Sequence, residues 1–400
     1  WSGGAAPTGA RGAGLPPDAP RATRAAMPGP DLSRLVPPRP ARSRIAFALA
    51  LGAAGGGIAQ TAGLPLPWML GPMLVTAAAA LAGLPVVGPA GLRIVVIPVI
   101  GVMLGASFSP AILAQLGAWG TTFALLPLFL IVSGAAAWTF YRRVAGYDAR
   151  TAFFCAAPGG LNEMVIMGAA AGADERRIAL AHSVRIFVVI TVIALAFAAL
   201  GGTTTAGMDR EATGFRDLSA VDAAALLACA VLGVPLARAA RLPAPGLFGP
   251  MVLSAALHLT ALVTVPPPSI LVILAQLVIG TVLGCRFAGA SLRQTGREIA
   301  LSAVAALGLI GVTLAFALLV AVLTAAPWSQ AVLAYAPGGL TEMSLLALAK
   351  DQDVAFVATA HVARIVVVLF AAAPLFRALA GRLPPPKEKA GNGSATGDRG

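Results

Sequence analysis

Four hundred residues of soluble protein would ordinarily fold as two or three domains. This chain is instead 58% hydrophobic and only 11% charged, with a mean hydropathy of +0.86, which excludes an ordinary soluble protein and points to an all-α polytopic membrane protein. The net charge of +12 would suit a nucleic-acid binder, but the arginines fall between apolar runs and in the tails, where charge sets membrane orientation.

Residues 1–43 are Pro, Gly, Ala and Arg without apolar periodicity, a disordered basic tail by composition, with Met27 a candidate start. Arg39, Arg42 and Arg44 then precede an apolar run from Ile45 to about Ala62 that imitates a signal peptide. Because this run has a counterpart later in the chain, it reads as a retained helix. Further apolar runs lie at about 65–83, 94–109, 118–140, 151–172 and 178–200, completing a membrane unit over 44–200. An acidic loop, 201–222, carries Asp209, Glu211, Asp217 and Asp222 against Arg210 and Arg216. The pattern restarts at about 223–240 and continues through 245–263, 269–285, 299–323, 330–349 and 354–376, a second unit over 223–380. A Pro-rich charged tail, 381–400, is expected to be disordered. Cys155, Cys229 and Cys285 sit singly in apolar runs and read as small buried hydrophobes.

The two units are a duplication. Pro65-Leu66-Pro67 and Gly71-Pro72-Met73 return as Pro243-Ala244-Pro245 and Gly249-Pro250-Met251. Ile100-Gly101 and Leu104-Gly105 return as Ile279-Gly280 and Leu283-Gly284, and Ala181-His182-x-x-Arg185 as Ala360-His361-x-x-Arg364. The strongest match is Pro158-Gly159-Gly160-Leu161-Asn162-Glu163-Met164, repeated 179 residues on as Pro337-Gly338-Gly339-Leu340-Thr341-Glu342-Met343. Pro removes a donor and Gly-Gly favours an open backbone, so a helix break is expected inside each apolar run. Such a break is tolerated in a membrane where protein or a water-filled cavity covers it.

Whether the halves are parallel or inverted depends on whether each Pro-Gly-Gly segment crosses the bilayer. If the segments re-enter, one side collects Arg39 to Arg44, Arg93, Arg142, Arg143, Arg150, Arg176, Arg177, Arg238, Arg241, Arg286, Arg293 and Arg297. The acidic loop and the Lys350/Asp351/Asp353 turn then fall on the other side. That is the positive-inside distribution, and it predicts two inverted repeats with about ten transmembrane helices plus two re-entrant, broken segments.

Asp174 and Asp353 read as N-caps of long apolar helices. His182 and His361 follow eight residues after the caps, and Arg185 and Arg364 eleven. The arginines therefore lie roughly 16 Å along their helices, about half of a ~30 Å hydrocarbon core, on the same face as the histidines. With Glu163 and Glu342 at comparable depth, each Glu has an Arg of its own or of the other half as the expected partner. A midplane site of this kind, built from Pro158, Gly159, Gly160, Asn162, Glu163, His182 and Arg185 with Pro337, Gly338, Gly339, Thr341, Glu342, His361 and Arg364, resembles the substrate and ion sites of secondary transporters. The bland alternative is that Glu–Arg pairs merely pin each broken segment. Gly71-Pro72 and Gly249-Pro250 read either as further breaks or as simple kinks, and His258, without a counterpart, as a packed histidine.

The duplicated Pro-Gly-Gly-Leu-x-Glu-Met within a long apolar chain resembles the bacterial AbrB-type integral membrane family over about residues 44–380. Its members are often labelled transcriptional regulator or ammonia monooxygenase, and the resemblance implies a duplicated inner-membrane domain tied to gene regulation. It transfers no catalytic residues. An oxygenase needs clustered His or Glu-x-x-His ligands, and the three histidines here stand on three separate segments. A DNA-binding regulator needs a soluble reading head, and only the basic tail is available.

The expectation is thus a multi-pass protein of the bacterial inner membrane that binds and translocates a small organic anion or zwitterion. It is not expected to be an enzyme or to carry a cofactor or metal beyond a coupling H+ or Na+. Its expected partners are membrane lipid and the small-molecule substrate, without direct nucleic-acid binding; a homodimer is left open. The rival reading is a membrane-embedded sensor that regulates gene expression indirectly; an intramembrane enzyme is a weaker one.

Overall fold

The computed structural model describes residues 39–108, 110, 116–201, 213–242, 244–290, 292–324, 326–350 and 352–380. The expectations for the basic tail up to residue 38, Met27, most of the acidic loop, Asp351 and the C-terminal tail lie outside the described residues. Within them the fold is all α, with no strand.

The first repeat comprises α1 (Arg39–Thr61), α2 (Pro67–Leu81), α3 (Ala90–Gly105), α4 (Gly120–Arg143), α5 (Ala149–Ala156), α6 (Leu161–Ala170) and α7 (Glu175–Gly201). The second comprises α8 (Ala220–Ala239), α9 (Pro245–Leu259), α10 (Ser269–Gly284), α11 (Leu292–Leu323), α12 (Trp328–Tyr335), α13 (Leu340–Ala349) and α14 (Val354–Ala380). Five pairs of corresponding helices, α2/α9, α3/α10, α5/α12, α6/α13 and α7/α14, begin and end at matching residues under the 178- or 179-residue shift. Five helices, α4, α7, α8, α10 with its extension to Phe287, and α11, are long and apolar enough to cross a membrane. Large apolar side chains such as Ile131, Leu227, Val231, Leu318 and Val322 are exposed on three of them, as a lipid-facing surface requires.

Small residues let the backbones touch. A Cβ on Gly55 would strike the backbone of Gly71, and one on Gly233 the backbones of Gly249 and Pro250. These are the same contact in the two repeats, α1 on α2 and α8 on α9, and they use the close approach that glycine permits between membrane helices. Pro72 and Pro250 sit inside continuous helices, so these segments are not further helix breaks. Leu66 and Ala244, the residues just before α2 and α9, both adopt left-handed backbone (φ 48° and 43°), a strained conformation occurring at the same place in each repeat.

The repeats interlock. Helix α2 packs along α10 of the other repeat, and α9 along α3. Gly280 lies against Met69, and Gly284 against Met73 and Ala77, so α2 and α10 run parallel; Gly101 against Leu247 and Gly105 against Met251 make α3 and α9 parallel too. Gly88, just before α3, lies instead against Cys285 and Val282 at the end of α10, so α3 and α10 are antiparallel. It follows that α2 and α9, equivalent by sequence, run in opposite directions. Helices α4 and α11 repeat the relation: Phe129 meets Phe316 edge-on, with ring centroids 5.4 Å apart, while Tyr141 shares a cluster with Leu301 and Ala305. The duplicated halves are inverted.

The Pro-Gly-Gly segments are hairpins. Both ends of α5–α6 lie together, because Arg150 Nη1 donates to the Ala171 carbonyl (2.8 Å) and the Asp174 amide donates to Thr151 Oγ1 (2.9 Å). In the second repeat Ser329 Oγ donates to Gln352 Oε1 (2.9 Å), joining the start of α12 to the turn after α13. With eight residues in α5 and in α12, each tip sits about 12 Å from its base, near half the depth of a membrane core. Arg177 of α7 pairs with Glu298 near the start of α11 at 3.0 Å, so those two helices run parallel and α7 is antiparallel to α4. A chain that reverses from α4 into α7 has the α5–α6 hairpin beginning and ending at one end of the bundle.

Candidate functional site

Each hairpin tip exposes two kinds of unsatisfied backbone: the carbonyls ending α5 and α12, and the amides opening α6 and α13. The arginines serve the carbonyls. Arg185 donates from Nη1 to the Ala157 carbonyl (3.3 Å) and from Nη2 to His182 Nδ1 (3.0 Å). His182 then donates from Nε2 to the Phe154 carbonyl (2.8 Å), which fixes the neutral Nε2–H tautomer. In the other half Arg364 donates to the carbonyls of Ala336 and Gly338 (2.6 and 3.0 Å), while His361 turns its Nδ1 to Val357 (3.0 Å). Cations at the negative ends of helices are favourably placed. All four side chains are buried, at 6% exposure or less, and α13 of the second hairpin packs against α7, the helix that carries Arg185 and His182. The second hairpin therefore approaches the arginine helix of the first repeat.

The glutamates serve the amide ends. Gly160 and Gly339 are the N-caps of α6 and α13, and Glu163 and Glu342 stand in the first turn. Each carboxylate folds back over its N-cap glycine, so that a Cβ there would collide with Oε2. An anion over a helix N-terminus is stabilised by the unpaired N–H groups and the helix dipole. Gly159 and Gly338 are covered by the side chains of Met164 and Met343, which are buried. The whole motif is thus a closed tip. Pro breaks the helix, the first Gly receives Met, and the second Gly receives the carboxylate.

The expected Glu–Arg pairing is not made. The ion pairs described join Arg177 to Asp174 and to Glu298, and neither glutamate approaches Arg185 or Arg364 as a salt-bridge partner. The nearer acceptors for those arginines are the broken-helix carbonyls. The two glutamates also differ, since Glu163 is exposed whereas Glu342 is half-buried. Pro337 and Gly338 are buried while Pro158 and Gly159 are partly open, and Thr341 is half-buried; the Asn162 side chain lies outside the described residues. Tyr335, fully buried, donates to the Thr122 carbonyl of α4 (2.7 Å), where the first repeat has Ala156. Asp174 and Asp353 cap their helices as expected, through the amides of Arg177 and Phe356. His258 is buried on the Ser254 carbonyl (2.8 Å), and the three cysteines are buried and free.

Two residues outside the expected set join the second tip. A cavity of about 20 Å³, room for a single water, is lined by Arg93 and Ile97 of α3, Ile279, Val282 and Leu283 of α10, Arg286 just beyond it, and Thr341 and Glu342 of α13. Their sequence signal was a break in the repeat: under the 179-residue shift, Arg93 and Arg286 answer to Val272 and Ser107.

A family model described as "Transition state regulatory protein AbrB" matches residues 68–380, more than half of the chain. The chain belongs to the AbrB family. Among its curated relatives, the "Uncharacterized protein YhjN" of Bacillus subtilis (strain 168) is 26% identical over 361 residues, covering 83% of this chain and 92% of the relative. The "Putative regulator AbrB" of Escherichia coli (strain K12) is 23% identical over 322 residues, covering 80% of this chain and 92% of that protein. No solved structure matches the chain. The family covers both hairpins, so their tips are features of this AbrB-family protein's matched region.

Proposed function

We propose that this AbrB-family protein is a multi-pass transporter of the bacterial inner membrane. It would carry a small organic anion or zwitterion through a midplane site between its two hairpin tips, coupled to H+ or Na+, without catalysis. The observation that carries the reading is the packing of α13, from the second of two inverted hairpins, against the helix that carries Arg185, with the N-terminus of α6 and of α13 each holding a carboxylate that an anion could replace. Five crossings in each repeat, α1 to α4 with α7 and α8 to α11 with α14, accompany one re-entrant hairpin per half. The glutamates hold the helix N-termini that an anionic substrate would use, so substrate entry requires each carboxylate to be displaced or neutralised. The arginines keep the broken helices satisfied meanwhile.

A second reading, an embedded sensor that regulates gene expression indirectly, is favoured by the name of the Escherichia coli relative and by the small size of the cavity. Uptake of labelled two- to six-carbon carboxylates into proteoliposomes, under imposed proton and sodium gradients, separates the two. A transporter accumulates at least one of them and Glu342→Gln stops the accumulation. Binding without flux under either gradient would leave the sensor.

A further inference from the structure

We infer that the cavity between α3, α10 and α13 is an oxyanion-binding site, one per chain, in which Arg93 and Arg286 take a carboxylate or phosphate group and Glu342 is the built-in competitor for it. The inference deepens the proposed function by naming where and by what the anion is held. It rests on the α13 tip being a binding region, but not on flux.

The charge in the cavity is unbalanced. Two guanidinium groups and one carboxylate line it, giving one excess positive charge before any ligand is bound. Glu342 does not cancel either cation by contact: the ion pairs described are those of Arg177, and the carboxylate lies back over Gly339. Nη1 of Arg286 is buried and has no hydrogen-bond partner. A buried donor on a cation left unpaired is costly, and a planar guanidinium is matched to an oxyanion. As it stands the space admits one water; swinging the Glu342 carboxylate aside would open it to an oxyanion between Arg286, Arg93 and Thr341, which would satisfy the donor.

The inverted repeat supplies an internal control. The corresponding positions around the first tip are Val272, Gln276, Ser107 and Glu163, with neither cation present. A purely structural role in holding a hairpin tip would be needed equally on both sides, yet only one side has the arginines. The backbone framework is retained at both, since α3 and α10 match in length and register. The two arginines are thus an addition to the duplicated scaffold, and they predict a stoichiometry of one.

Labelled acetate is the first probe, its binding to the full chain in phosphatidylcholine nanodiscs read by scintillation proximity, which needs no washing step. Saturable binding approaching one acetate per chain is expected, and unlabelled inorganic phosphate should compete. Arg286→Met and Arg93→Met should each weaken binding by about tenfold or more, the loss of a charge-assisted contact. Glu342→Gln should tighten it severalfold, a gain that misfolding cannot produce. A second arm measures phosphatidylglycerol retained by the purified protein. Retention that depends on Arg286, with acetate excluded, would identify a lipid headgroup as the source of the oxyanion in the same site. Acetate binding unchanged in Arg286→Met, or no Arg286-dependent ligand in either arm, would overturn the inference. Acetate binding with all these variant effects but no uptake in proteoliposomes would leave the site standing and refute transport alone.

Discussion

At the scale of single residues, the buried arginines act as helix caps that sit far from their helices in sequence. Arg364 holds two carbonyls, whereas Arg185 holds one directly and a second through His182. Each charge-assisted bond of this kind contributes about 1.5–3 kcal/mol. Arg364→Met should therefore lower the thermal unfolding midpoint in detergent more than Arg185→Met, and Lys at either position should recover only part of the loss because it cannot fork between two acceptors. Equal, small shifts for both Met variants would contradict the capping role. Asp148 makes a pH-dependent contribution at the base of the first hairpin. Partial burial opposes its charged form, but the Thr151 hydroxyl and the amides of Thr151 and Arg150 outweigh that and hold its carboxyl below the ordinary carboxylate value. A lowered value means the stabilisation is complete above the unfolded-state pKa and fades as pH falls through the folded one. Asp148→Asn keeps a capping oxygen without the titration, so its melting profile should be flatter than that of the parent below about pH 5, where the parent begins to lose this contribution.

At the scale of the element, the Pro-Gly-Gly-Leu-x-Glu-Met hairpin is legible in part. The break, the N-caps at Asp174 and Asp353 and the shared face of His and Arg follow from local rules: a missing donor, a short acceptor side chain, a three-residue spacing. The partners of Glu and Arg do not. Pairing opposite charges ignored the backbone groups that the break itself leaves open, and these lie closer to each side chain than the opposite charge does. Arg93 lies about seventy residues before Glu163 and almost 250 before Glu342, so no local period could bring it to the tip; only the interlock of α3 with α10 does. The second glycine of the motif can be tested directly. Gly339 has an ordinary extended backbone (φ −79°, ψ 148°), so alanine there is not strained by conformation, only by the carboxylate above it. Gly339→Ala should cost about 1–2 kcal/mol in the parent and little in a Glu342→Ala background. A double-mutant cycle with no coupling would show that the carboxylate does not sit there.

At the scale of the whole molecule, inversion sets how the two hairpins approach each other. Two parallel copies would bring their hairpins in from one face, side by side; opposite copies bring them in from both faces, and each tip stops near the middle with α7 or α14 behind it. The bundle also sorts charge accordingly. Arg142, Arg150 and Arg177 gather at the base of the first hairpin with Glu298, and Lys350 lies at the base of the second. On the proposed topology, the positive-inside rule would put the first base in the cytoplasm and the second outside. After replacement of the three buried cysteines, single cysteines at Glu175 and Lys350 should react with a membrane-impermeant maleimide from opposite sides. Glu175→Cys is expected to label in inside-out vesicles and Lys350→Cys in intact cells freed of their outer wall. Since Glu175 opens α7 and Lys350 ends α13, the pair reports on both hairpins at once. Labelling of both from one side would mean that the second Pro-Gly-Gly segment crosses, as it does when both cross and the halves run parallel. The tips could not then approach each other from opposite faces, and the shared midplane site would have no geometry to stand on.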